Sequence, residues 1–557
     1  MGVKCLKDPI YGYIEIEEEI MRIVVDTATF QRLRNIVQTS YAPLYSAAVH
    51  NRFIHSLGVY HLGKIAYRAV ECSFIEKQNK NIAAIKRHGE IFLLACLLHD
   101  VGHAPFSHTG EEYYLNLQKK GNERYAELHD MLCSIVKNTQ FRKDVKKTEL
   151  QFEPAKPHEI MSAIVALNEF SDLFRDNEER AFFARCITGY CYQDLGNNQD
   201  MWNCLIRLLN SSVVDVDKLD YLIRDAYITG FDTVKIDYVR LLGALRLRKN
   251  TKTNEWELVY HKSALSVIQN VVFAHDAEKH WIQNHPVVLY EGYILRHAIS
   301  HVNEYFANAE NKLFSYESLT ADGNQLNEQI HISLLADDDL VYLMKNICFD
   351  DVTKEYFDRR SRRHPAWKSE AEYRHLFYAR QGECSALTEY IEDEIDRLSQ
   401  FITNITGKDI IDESSIKACE KEINRLEEEL KKASPKKKRN FECLLKDAVD
   451  HLDWLKCMYE VTKESGVDFD LLIIKADQFN SGFMKQEFAE LPIMFSEEDR
   501  TNKFSDVVNL MNAERTERSK FYYLFYRRKQ VEKQAVETLN IYELARKFTE
   551  LANKKIR

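Results

Sequence analysis

The 557-residue chain is poor in proline and lacks the cysteine pairs that bind zinc. Only 9 prolines are present, which with 29% charged residues favours an ordered, helix-rich protein. The 12 cysteines include no Cys-x-x-Cys pair, and the two closest in sequence are Cys186 and Cys191. This pattern argues against a zinc framework and against a small disulfide scaffold. We expect reduced thiols in a cytoplasmic protein.

Long apolar runs and an excess of positive charge are also absent. No stretch approaches the roughly 20 apolar residues that a membrane helix needs. The start, "MGVKCLKDPI", has no apolar signal core, and Leu6 breaks the myristoylation pattern. The net charge of -10 gives no general electrostatic reason to bind nucleic acid. We therefore expect neither a membrane nor a nucleic-acid partner.

The length exceeds one typical domain, and 45% hydrophobic residues suffice for a substantial core. Residues 1–20, which include "DPIYGYIEI", alternate apolar and polar positions as short β-strands do. From Met21 to Glu310 the periodicity is mostly helical. The sequence thus predicts a mainly α fold with short β elements and a first domain over residues 1–310.

The pattern changes in the second half of the chain. Residues 412–460 predict a helical hairpin that turns at "ASPKKKRN", with its lysines in solvent. The segments "VDFDLLIIKADQF" and "LPIMF" predict short strands between about residues 467 and 495. We expect residues 311–557 to form a mixed α/β lobe with a role in oligomer formation or regulation.

Histidines are concentrated in "VHNRFIHSLGVYHLGKIA", residues 49–66, and "LLACLLHDVGHAPFSHTGEEYY", residues 93–114. These stretches hold His50, His55, His61, His99, His103 and His108, from a total of 19. The apolar segment 89–98 predicts a buried helix that ends near His99 and is stopped by Gly102 and Pro105. A histidine followed directly by an aspartate is thereby placed at a buried helix end.

The pair His99 and Asp100 combines imidazole and carboxylate, which suits a divalent metal such as Fe, Mn, Ni or Zn. His55 can supply a second nitrogen. Asp217 is the best further carboxylate, because its apolar helix carries four aspartates that are costly to bury without partners. A His2Asp2 site leaves positions for water and a phosphate oxygen, and its metal would act as a Lewis acid.

Further groups could serve the same chemistry. His103 and His108 follow the metal pair on a bent loop and could transfer protons near neutral pH. Arg52 could hold a phosphate in a bidentate manner. On the helix predicted for residues 212–228, the side chains that share one face are Asp217, Tyr221 and Arg224, flanked by Lys218 and Asp225.

The ordered motifs "HNRFIHSLGV", "HDVGHAPFSH", "HEIMSA" and "VDVDKLDYLIRDAYITG" resemble those of HD-domain phosphohydrolases. The similarity is greatest to the deoxynucleoside triphosphate (dNTP) triphosphohydrolases, and it extends from Lys4 to Gly230 and more weakly to about residue 310. The resemblance implies a helical HD core and one divalent metal (Fe, Mn, Ni, Zn or Mg), with further Mg accompanying the phosphates. The implied metal ligands are His55, His99, Asp100 and Asp217.

The same resemblance implies hydrolysis of dNTPs to deoxynucleoside and intact triphosphate. It makes His108 the proton donor, supported by Glu111 where the family more often has Asp, and makes His158 the third pocket histidine, with His129 as the alternative. Triphosphate contacts are implied for Arg52, His103 and Lys218, and sugar contacts for Gln38, Tyr221 and Asp225. Tyr290 matches the tyrosine that stacks on the base; the alternative is a core tyrosine. No role is expected for His50 or His61.

The sequence departs from the family pattern at two places and resembles it in one further segment. Thr39 and Ser40 replace a Leu-Gly pair, which leaves selectivity between dNTP and rNTP open, and Gly292 and Tyr293 replace a histidine and a basic residue. The segment "VDTATFQRLRNIVQ" is similar to the activator-nucleotide segment of oligomeric members, which are dimer-based, tetrameric or hexameric. The matching positions are Lys4, Asp26, Gln31 and Arg34, and an ordinary interior amphipathic helix is the alternative.

Two other functions are compatible with these residues. One is a different HD phosphohydrolase, such as a 5′-nucleotidase or a signalling-nucleotide hydrolase. The other is a nucleotide-sensing or nucleic-acid-binding protein with a vestigial HD site. The "DPIYGYI" start and the "VDVDKLDYLIRD" helix favour a dNTP triphosphohydrolase, and nucleotide depletion in antiviral defence is a role that such an enzyme could have.

Overall fold

The computed structural model describes most of the chain, in segments separated by short gaps. These segments are residues 2–77, 82–150, 152–196, 199–211, 213–231, 234–250, 252–307, 311–347, 349–377, 385–476, 481–482, 486–496, 501–508, 521–528 and 537–556. In these segments no helix has both the length and the apolar character needed to cross a membrane.

The described residues are mainly α-helical, as the sequence predicts. In chain order the α-helices are α1 (Glu18–Ile20), α2 (Ala28–Gln31), α3 (Arg52–Lys77), α4 (Ile82–Leu98), α5 (Ala126–Val136), α6 (Thr139–Glu149), α7 (Pro157–Glu169), α8 (Asn177–Thr188), α9 (Gln199–Leu209), α10 (Val216–Thr229), α11 (Tyr238–Gly243), α12 (Leu265–Ala277), α13 (Pro286–Tyr305), α14 (Asp337–Ile347), α15 (Asp351–Phe357), α16 (Glu370–Phe377), α17 (Ser385–Thr406), α18 (Glu413–Lys432), α19 (Pro435–Glu464), α20 (Gln486–Ala489), α21 (Phe504–Val507) and α22 (Ile541–Ile556).

The β-strands are short and fall into small sheets. They are β1 (Val3–Asp8), β2 (Gly12–Glu17), β3 (Leu245–Lys249), β4 (Trp256–His261), β5 (Asn324–Gln325), β6 (His331–Ile332), β7 (His364–Pro365), β8 (Ile410–Asp412), β9 (Asp470–Lys475), β10 (Pro492–Met494), β11 (Asn502–Lys503) and β12 (Tyr522–Tyr526). β1 and β2 form an antiparallel hairpin, as do β5 and β6. The two larger sheets have the strand orders β11-β10-β4-β3 and β7-β12-β9-β8.

The chain divides into two compact units, and the division differs from the single boundary expected at residue 310. The first contains Met1–Ile282, Glu291–Thr353 and Ser481–Ala513, and the second contains Gln283–Tyr290, Lys354–Asn480 and Glu514–Arg557. Strand β10 explains part of the difference. It pairs in parallel with β4, with Ile493 opposite Tyr260, and so returns to the first unit.

The core of the first unit is built around α3 and α4. Helix α4 is the buried helix that the sequence predicts, with Ile91, Phe92, Ala95 and Leu98 each at 0% exposure. It packs against α3 and α8, and α3 also packs against α10. Gly58 of α3 permits the second contact. A Cβ at this position would lie 1.9 Å from Oδ1 of Asp220 on α10.

The second unit contains the predicted helical hairpin. Helices α18 and α19 pack against each other, with Leu426 and Ala448 buried between polar exteriors. The turn is shorter than the sequence suggests, because the lysine run already belongs to the first turns of α19. The mixed character predicted for this lobe is confirmed by the sheet of β7, β12, β9 and β8. Residues 477–480 and 483–485 of the predicted strand region lie outside the described residues.

Gly102 offers a test of how the loop after α4 is held. Its Cβ would lie 2.3 Å from the backbone N of Ser162 and 2.4 Å from the carbonyl carbon of Met161, both on α7. Gly102→Ala is therefore expected to lower the free energy of unfolding by about 1–3 kcal/mol, the usual cost of overpacking. Thermal unfolding of the full chain measures the effect.

The control for this test is Gly243→Ala at the end of α11, where an added Cβ meets no atom within 4 Å. Alanine there is expected to leave the unfolding midpoint unchanged or raise it slightly. Equal midpoints for both variants would contradict the close approach of the loop to α7.

Candidate metal and phosphate site

His55 is held from both sides of its ring. It lies in the first turn of α3, and its Nδ1 is 2.7 Å from Oδ2 of Asp220. Its Nε2 is 3.0 Å from Oδ1 of Asp217, in the first turn of α10. Burial lowers the pKa of His55, but hydrogen bonds to the two carboxylates outweigh it and raise the pKa to about 9. The Asp220 contact fixes the ring, so that Nε2 faces Asp217.

His99 presents its Nε2 to the same place. It follows the last residue of α4, and its Nδ1 contacts the carbonyl oxygen of Cys96 at 3.0 Å. Its Nε2 lies 3.3 Å from Nε2 of His55 and 3.6 Å from Oδ1 of Asp217. Asp100 is adjacent, with Oδ1 3.4 Å from Nε2 of His99. Helix α4 thus ends where the imidazoles of His55 and His99 meet the carboxylates of Asp100 and Asp217.

This donor set fits a divalent cation. The ligand atoms of His55, His99 and Asp217 all lie within 4.8 Å of one another. Nδ1 of His55 contacts Asp220, and Nδ1 of His99 contacts the carbonyl oxygen of Cys96. The Nε2 atom of each ring is therefore the nitrogen available to a shared metal ion. Two imidazole nitrogens with carboxylate oxygens suit Zn, Fe, Mn or Ni. The expected fourth ligand, Asp100, borders the group, with Oδ2 3.6 Å from Nε2 of His55.

Arg52 is fixed beside Asp100. Its Nη1 donates to Oδ2 of Asp100 at 2.9 Å, and its Nε donates to Oγ of Ser107 at 2.9 Å. A third bond joins Nη2 to the carbonyl oxygen of Gln38 at 3.3 Å. Burial raises the pKa of Asp100, but Arg52 and the neighbouring histidines hold it well below its usual range. Asp100 therefore stays ionised, and the guanidinium is held in one orientation.

A second histidine group adjoins the first. His108 in the turn Ser107–Thr109 has Nδ1 3.2 Å from Oε1 of Glu111, and Nδ1 of His158 contacts Oε2 of the same carboxylate. The rings of His103 and His158 stack with centroids 4.0 Å apart. Burial raises the pKa of Glu111, but His158 and His108 hold it well below its ordinary value. One carboxylate therefore organises two of the three histidines.

His103 joins the two groups. Its Nε2 is 3.2 Å from Oδ1 of Asp100. Among the described residues neither ring nitrogen has an aligned hydrogen-bond partner, although His103 is fully buried. Burial, followed by the charge of Arg52, holds its pKa well below the usual value. A neutral buried imidazole without a hydrogen bond is costly unless a ligand supplies the partner.

The helix start of α7 explains the position of His158. The helix begins with Pro157, and the Glu159 carboxylate accepts the backbone N–H of Lys156 at 2.8 Å. The alternative candidate, His129, lies elsewhere: its Nε2 is 2.9 Å from Oε1 of Glu149 and 3.1 Å from the hydroxyl of Tyr190. The structure thus brings His158 and not His129 to Glu111.

The remaining residues of α10 differ in position. Lys218 donates from Nζ to Oδ2 of Asp215 and to the carbonyl oxygen of Ser211, each at 2.5 Å, two of the three bonds that its ammonium group can donate. Tyr221 is half-buried, and burial raises its pKa well above the usual value. Arg224 is turned away from the expected face, because its guanidinium binds Asp220 and Asp8.

Two residues of importance lie within the quoted motifs but were given no role in the predicted site. His50, for which no role was expected, has Nε2 2.6 Å from Oδ1 of Asp225 and so holds a predicted sugar contact. Asp220 orients His55 and pairs with Arg224 at 2.9 Å. Its position in an apolar helix, three residues after Asp217, was the only available sign. His61, by contrast, stacks on Tyr11 with ring centroids 5.0 Å apart.

Tyr290 is a correction to the predicted site. It belongs to the second unit, is 1% exposed, and packs its ring against Phe525. Its hydroxyl contacts Glu355, and the backbone N–H of Arg363 donates to it at 3.3 Å. A ring enclosed in this way cannot stack on a base, so the core alternative describes it.

The predicted activator residues are only partly gathered. Nε of Arg34 donates to Oε1 of Gln31 at 2.7 Å, and its guanidinium lies 3.6 Å from the ring centroid of Phe53. Lys4 lies on β1, where its Nζ is 3.9 Å from Glu18. Asp26 is exposed and ends the turn Met21–Val25. A nucleotide site here remains a prediction.

Comparison with known proteins defines the class. Residues 52–182 match the HD domain family. The matched segment includes His55, His99, Asp100, His103, His108 and His158. Over these residues the match agrees with the predicted resemblance to HD-domain proteins.

The similar proteins include dNTP triphosphohydrolases. The deoxynucleoside triphosphate triphosphohydrolase SAMHD1 homologue of Dictyostelium discoideum is 30% identical over 243 residues, 43% of this chain and 39% of that protein. The Bos taurus SAMHD1 enzyme is 41% identical over 118 residues, 21% of this chain and 19% of that protein. Uncharacterized protein MG461 of Mycoplasma genitalium is 30% identical over 267 residues, 47% of this chain and 52% of that protein.

The matched region spans about half the length of MG461 and less than half of the SAMHD1 proteins. A crystal structure of a hypothetical protein from Aquifex aeolicus covers 100% of both chains with a TM-score of 0.50 and 18% identity. That similarity concerns the fold alone. The chain is thus similar to HD-domain proteins over residues 52–182, and its similar proteins include dNTP triphosphohydrolases.

The pair of Asp220 and His55 permits a direct test of metal affinity. Asp220→Asn keeps the side-chain size but removes the charge that orients His55, so metal affinity is expected to fall by roughly 10–100-fold. The free energy of unfolding is expected to fall by only about 1–3 kcal/mol, because Arg224 keeps its bond to Asp8. Calorimetric Zn²⁺ titration and thermal unfolding measure the two effects.

Glu149→Gln is the matched control, because Glu149 pairs with His129 outside this site. It should leave metal affinity unchanged. If both variants bound Zn²⁺ as tightly as the original chain, His55 would not be a ligand oriented by Asp220.

Proposed function

We propose that the chain hydrolyses dNTPs to a deoxynucleoside and inorganic triphosphate with a bound divalent cation. The observation that carries this proposal is the position of Asp100 between two groups. One oxygen lies 3.4 Å from Nε2 of His99 and 3.2 Å from Nε2 of His103, and the other accepts a bond from Arg52 at 2.9 Å. The proposed metal ligands, the guanidinium of Arg52 and the proposed proton-transfer histidines are therefore contiguous, which supports phosphate ester hydrolysis.

The residues that would hold the cation are His55, His99, Asp100 and Asp217. When bound there, a divalent cation polarises a phosphate oxygen and lowers the pKa of a bound water. Fe, Mn, Ni, Zn and Mg all remain candidates. Additional Mg²⁺ is expected to accompany the nucleotide phosphates.

Arg52 and His103 are proposed to bind the triphosphate. The bonds to Asp100 and Ser107 hold the guanidinium of Arg52 before substrate arrives, which limits the entropy lost on binding. Within the segments that the structure describes, His103 is buried without an aligned partner, and its N–H can donate to a phosphate oxygen. Lys218 is proposed to add a further contact through its third N–H.

His108 is proposed to protonate the leaving group. Its side chain is 57% exposed while Nδ1 is engaged by Glu111, which leaves Nε2 to face a ligand. In the proposed step, water oxygen bonds to the α-phosphorus and the bond from phosphorus to O5′ breaks. The proton of His108 passes to O5′, and a proton of the attacking water restores the histidine. His158 completes the pair around Glu111.

The sugar is proposed to lie against α10. Asp225, held by His50, would accept a bond from the 3′-hydroxyl, and Tyr221 and Gln38 would border the ring. Gln38 is buried and its Oε1 has no hydrogen-bond partner among the described residues. Activation by a second nucleotide near Gln31 and Arg34, in a homo-oligomer, is part of the proposal.

Product analysis tests the proposed reaction. The full chain is incubated with Mn²⁺ and with single or mixed dNTPs, and products are separated by ion-exchange chromatography. Deoxynucleoside and triphosphate are expected, and activity confined to mixtures would support an activator site. Pyrophosphate with nucleoside monophosphate would overturn the proposal. Parallel reactions with nucleoside monophosphates and cyclic nucleotides test the other HD phosphohydrolase activities.

A further inference from the structure

A third cluster of histidine and carboxylate lies apart from the groups described above. His297 and His301 are on α13, and Asp350 immediately precedes α15. Residues four apart on a helix lie on the same face, one turn from each other. All three residues belong to the first unit, and none is a ligand or proton-transfer candidate of the proposed reaction.

One carboxylate oxygen meets both imidazoles. Oδ2 of Asp350 is 2.7 Å from Nε2 of His297 and 2.9 Å from Nδ1 of His301. The other oxygen accepts the backbone N–H of Thr353 at 2.7 Å, which fixes the carboxylate at the start of α15. The imidazole centroids are 4.2 Å apart with an interplanar angle of 57°. Two nitrogens and an oxygen are thus directed at one another from two separate chain segments.

Burial of these three side chains is incomplete. The exposed fractions are 24% for His297, 37% for His301 and 35% for Asp350. An ion among them would keep contact with solvent, which could supply a water as the fourth ligand. Incomplete burial also permits small rotations of the side chains without repacking of a core.

We propose that His297, His301 and Asp350 form a second binding site for a divalent transition-metal ion, with Zn²⁺ as the representative ion. The three ligand atoms lie within 4.8 Å of one another. At usual Zn–ligand distances of about 2.0 Å, tetrahedral ligands are about 3.3 Å apart. The two histidine–carboxylate distances must therefore increase by only about half an ångström when the ion replaces the shared protons. Two imidazoles and one carboxylate favour Zn²⁺, Ni²⁺ or Co²⁺ over Mg²⁺.

Such an ion would join α13 to the start of α15. Binding to the folded chain alone stabilises it in proportion to the logarithm of ion concentration above the dissociation constant. The partial exposure of all three ligands makes the site exchangeable rather than permanently filled. This inference is independent of the proposed nucleotide hydrolysis, because the two sites have no residue in common.

The test separates this site from the proposed catalytic one. The background variant of the full chain carries His99→Ala and Asp217→Ala, which remove two of the catalytic ligands. Zn²⁺ binding is followed by calorimetry, and Co²⁺ binding by its visible absorption. We expect one equivalent to remain in this background. Adding His301→Ala should weaken its binding by at least the roughly 10–100-fold that loss of an outer partner costs.

Asp350→Asn should weaken binding in the same way, because it retains the shape of the side chain but removes its charge. His331→Ala, at an exposed histidine of β6, is the matched control and should have no effect. Circular dichroism without metal checks that each variant is folded. Absence of the remaining equivalent, or equal affinity with and without His301 or Asp350, would overturn the proposal and leave an ordinary hydrogen-bonded cluster.

Discussion

Asp217→Ala is expected to lower kcat/KM for dNTP hydrolysis by more than about 10³-fold, beyond the usual effect of losing one hydrogen-bond donor in a catalytic site. Asp217 is the carboxylate nearest to Nε2 of His55, at 3.0 Å, and it also lies 3.6 Å from Nε2 of His99. Its removal takes away one of the two carboxylates that lie near both histidines and leaves only Asp100. Steady-state rates with Mn²⁺ measure the loss, and Asp100→Ala should give a similar result.

Folding should survive this change. The Asp217 side chain is 37% exposed, so alanine creates no large cavity. Its thermal midpoint should therefore stay close to that of the original chain, and Glu149→Gln serves again as the control with normal activity. Full activity of a folded, metal-depleted Asp217→Ala protein would show that hydrolysis does not use this group.

His108→Ala is expected to lower kcat by about 10²–10⁴-fold with little change in KM, the range typical for loss of a general acid. The reason is that a deoxynucleoside 5′-alkoxide is a poor leaving group without a proton. The loss of kcat should be much smaller for a triphosphate that carries a 4-nitrophenyl group on its α-phosphate, because nitrophenolate leaves without protonation. An equal deficit for both substrates would contradict proton donation by His108.

Glu111→Gln supplies a matched variant with a readout in pH. Burial lowers the pKa of His108, and the charge and hydrogen bond of Glu111 partly offset this effect. A general acid acts while protonated, so activity falls as pH rises through its pKa. Loss of the Glu111 charge lowers that pKa further. The alkaline limb of the kcat profile should therefore move to lower pH in Glu111→Gln.

The sequence could predict those parts of the site that depend on local patterns. The apolar segment ending at Leu98 forms α4, and it places His99 and Asp100 at a buried helix end. The four aspartates of one apolar helix then indicated Asp217, more than a hundred residues away, and the resemblance implied the same ligand. His55, His99 and Asp217 do meet in space. The helical hairpin and the β character of residues 1–20 followed from periodicity and turn residues alone.

Contacts between distant segments had no such pattern. Asp337 accepts the backbone N–H of Val37 at 2.9 Å and that of Phe106 at 2.6 Å. It thereby holds the segments that carry Gln38 and His108. No spacing rule relates residue 337 to either segment, since the pairing depends on the complete packing of the unit.

The division into compact units differs from the expected boundary for the same reason. A strand of three residues, β10, has too little sequence to reveal that its partner is β4. Tyr290 likewise occupies a position that matches a family motif, but its surroundings are set by Glu355, Arg363 and Phe525. Local similarity identified the residue type and could not identify its neighbours.

Hydrolysis in H₂¹⁸O tests the central claim most directly. The full chain is incubated with Mn²⁺ and dNTPs, and both products are examined by mass spectrometry. Attack of water on the α-phosphorus predicts one ¹⁸O atom in inorganic triphosphate and none in the deoxynucleoside. Label in the deoxynucleoside, or pyrophosphate and monophosphate as products, would contradict the account.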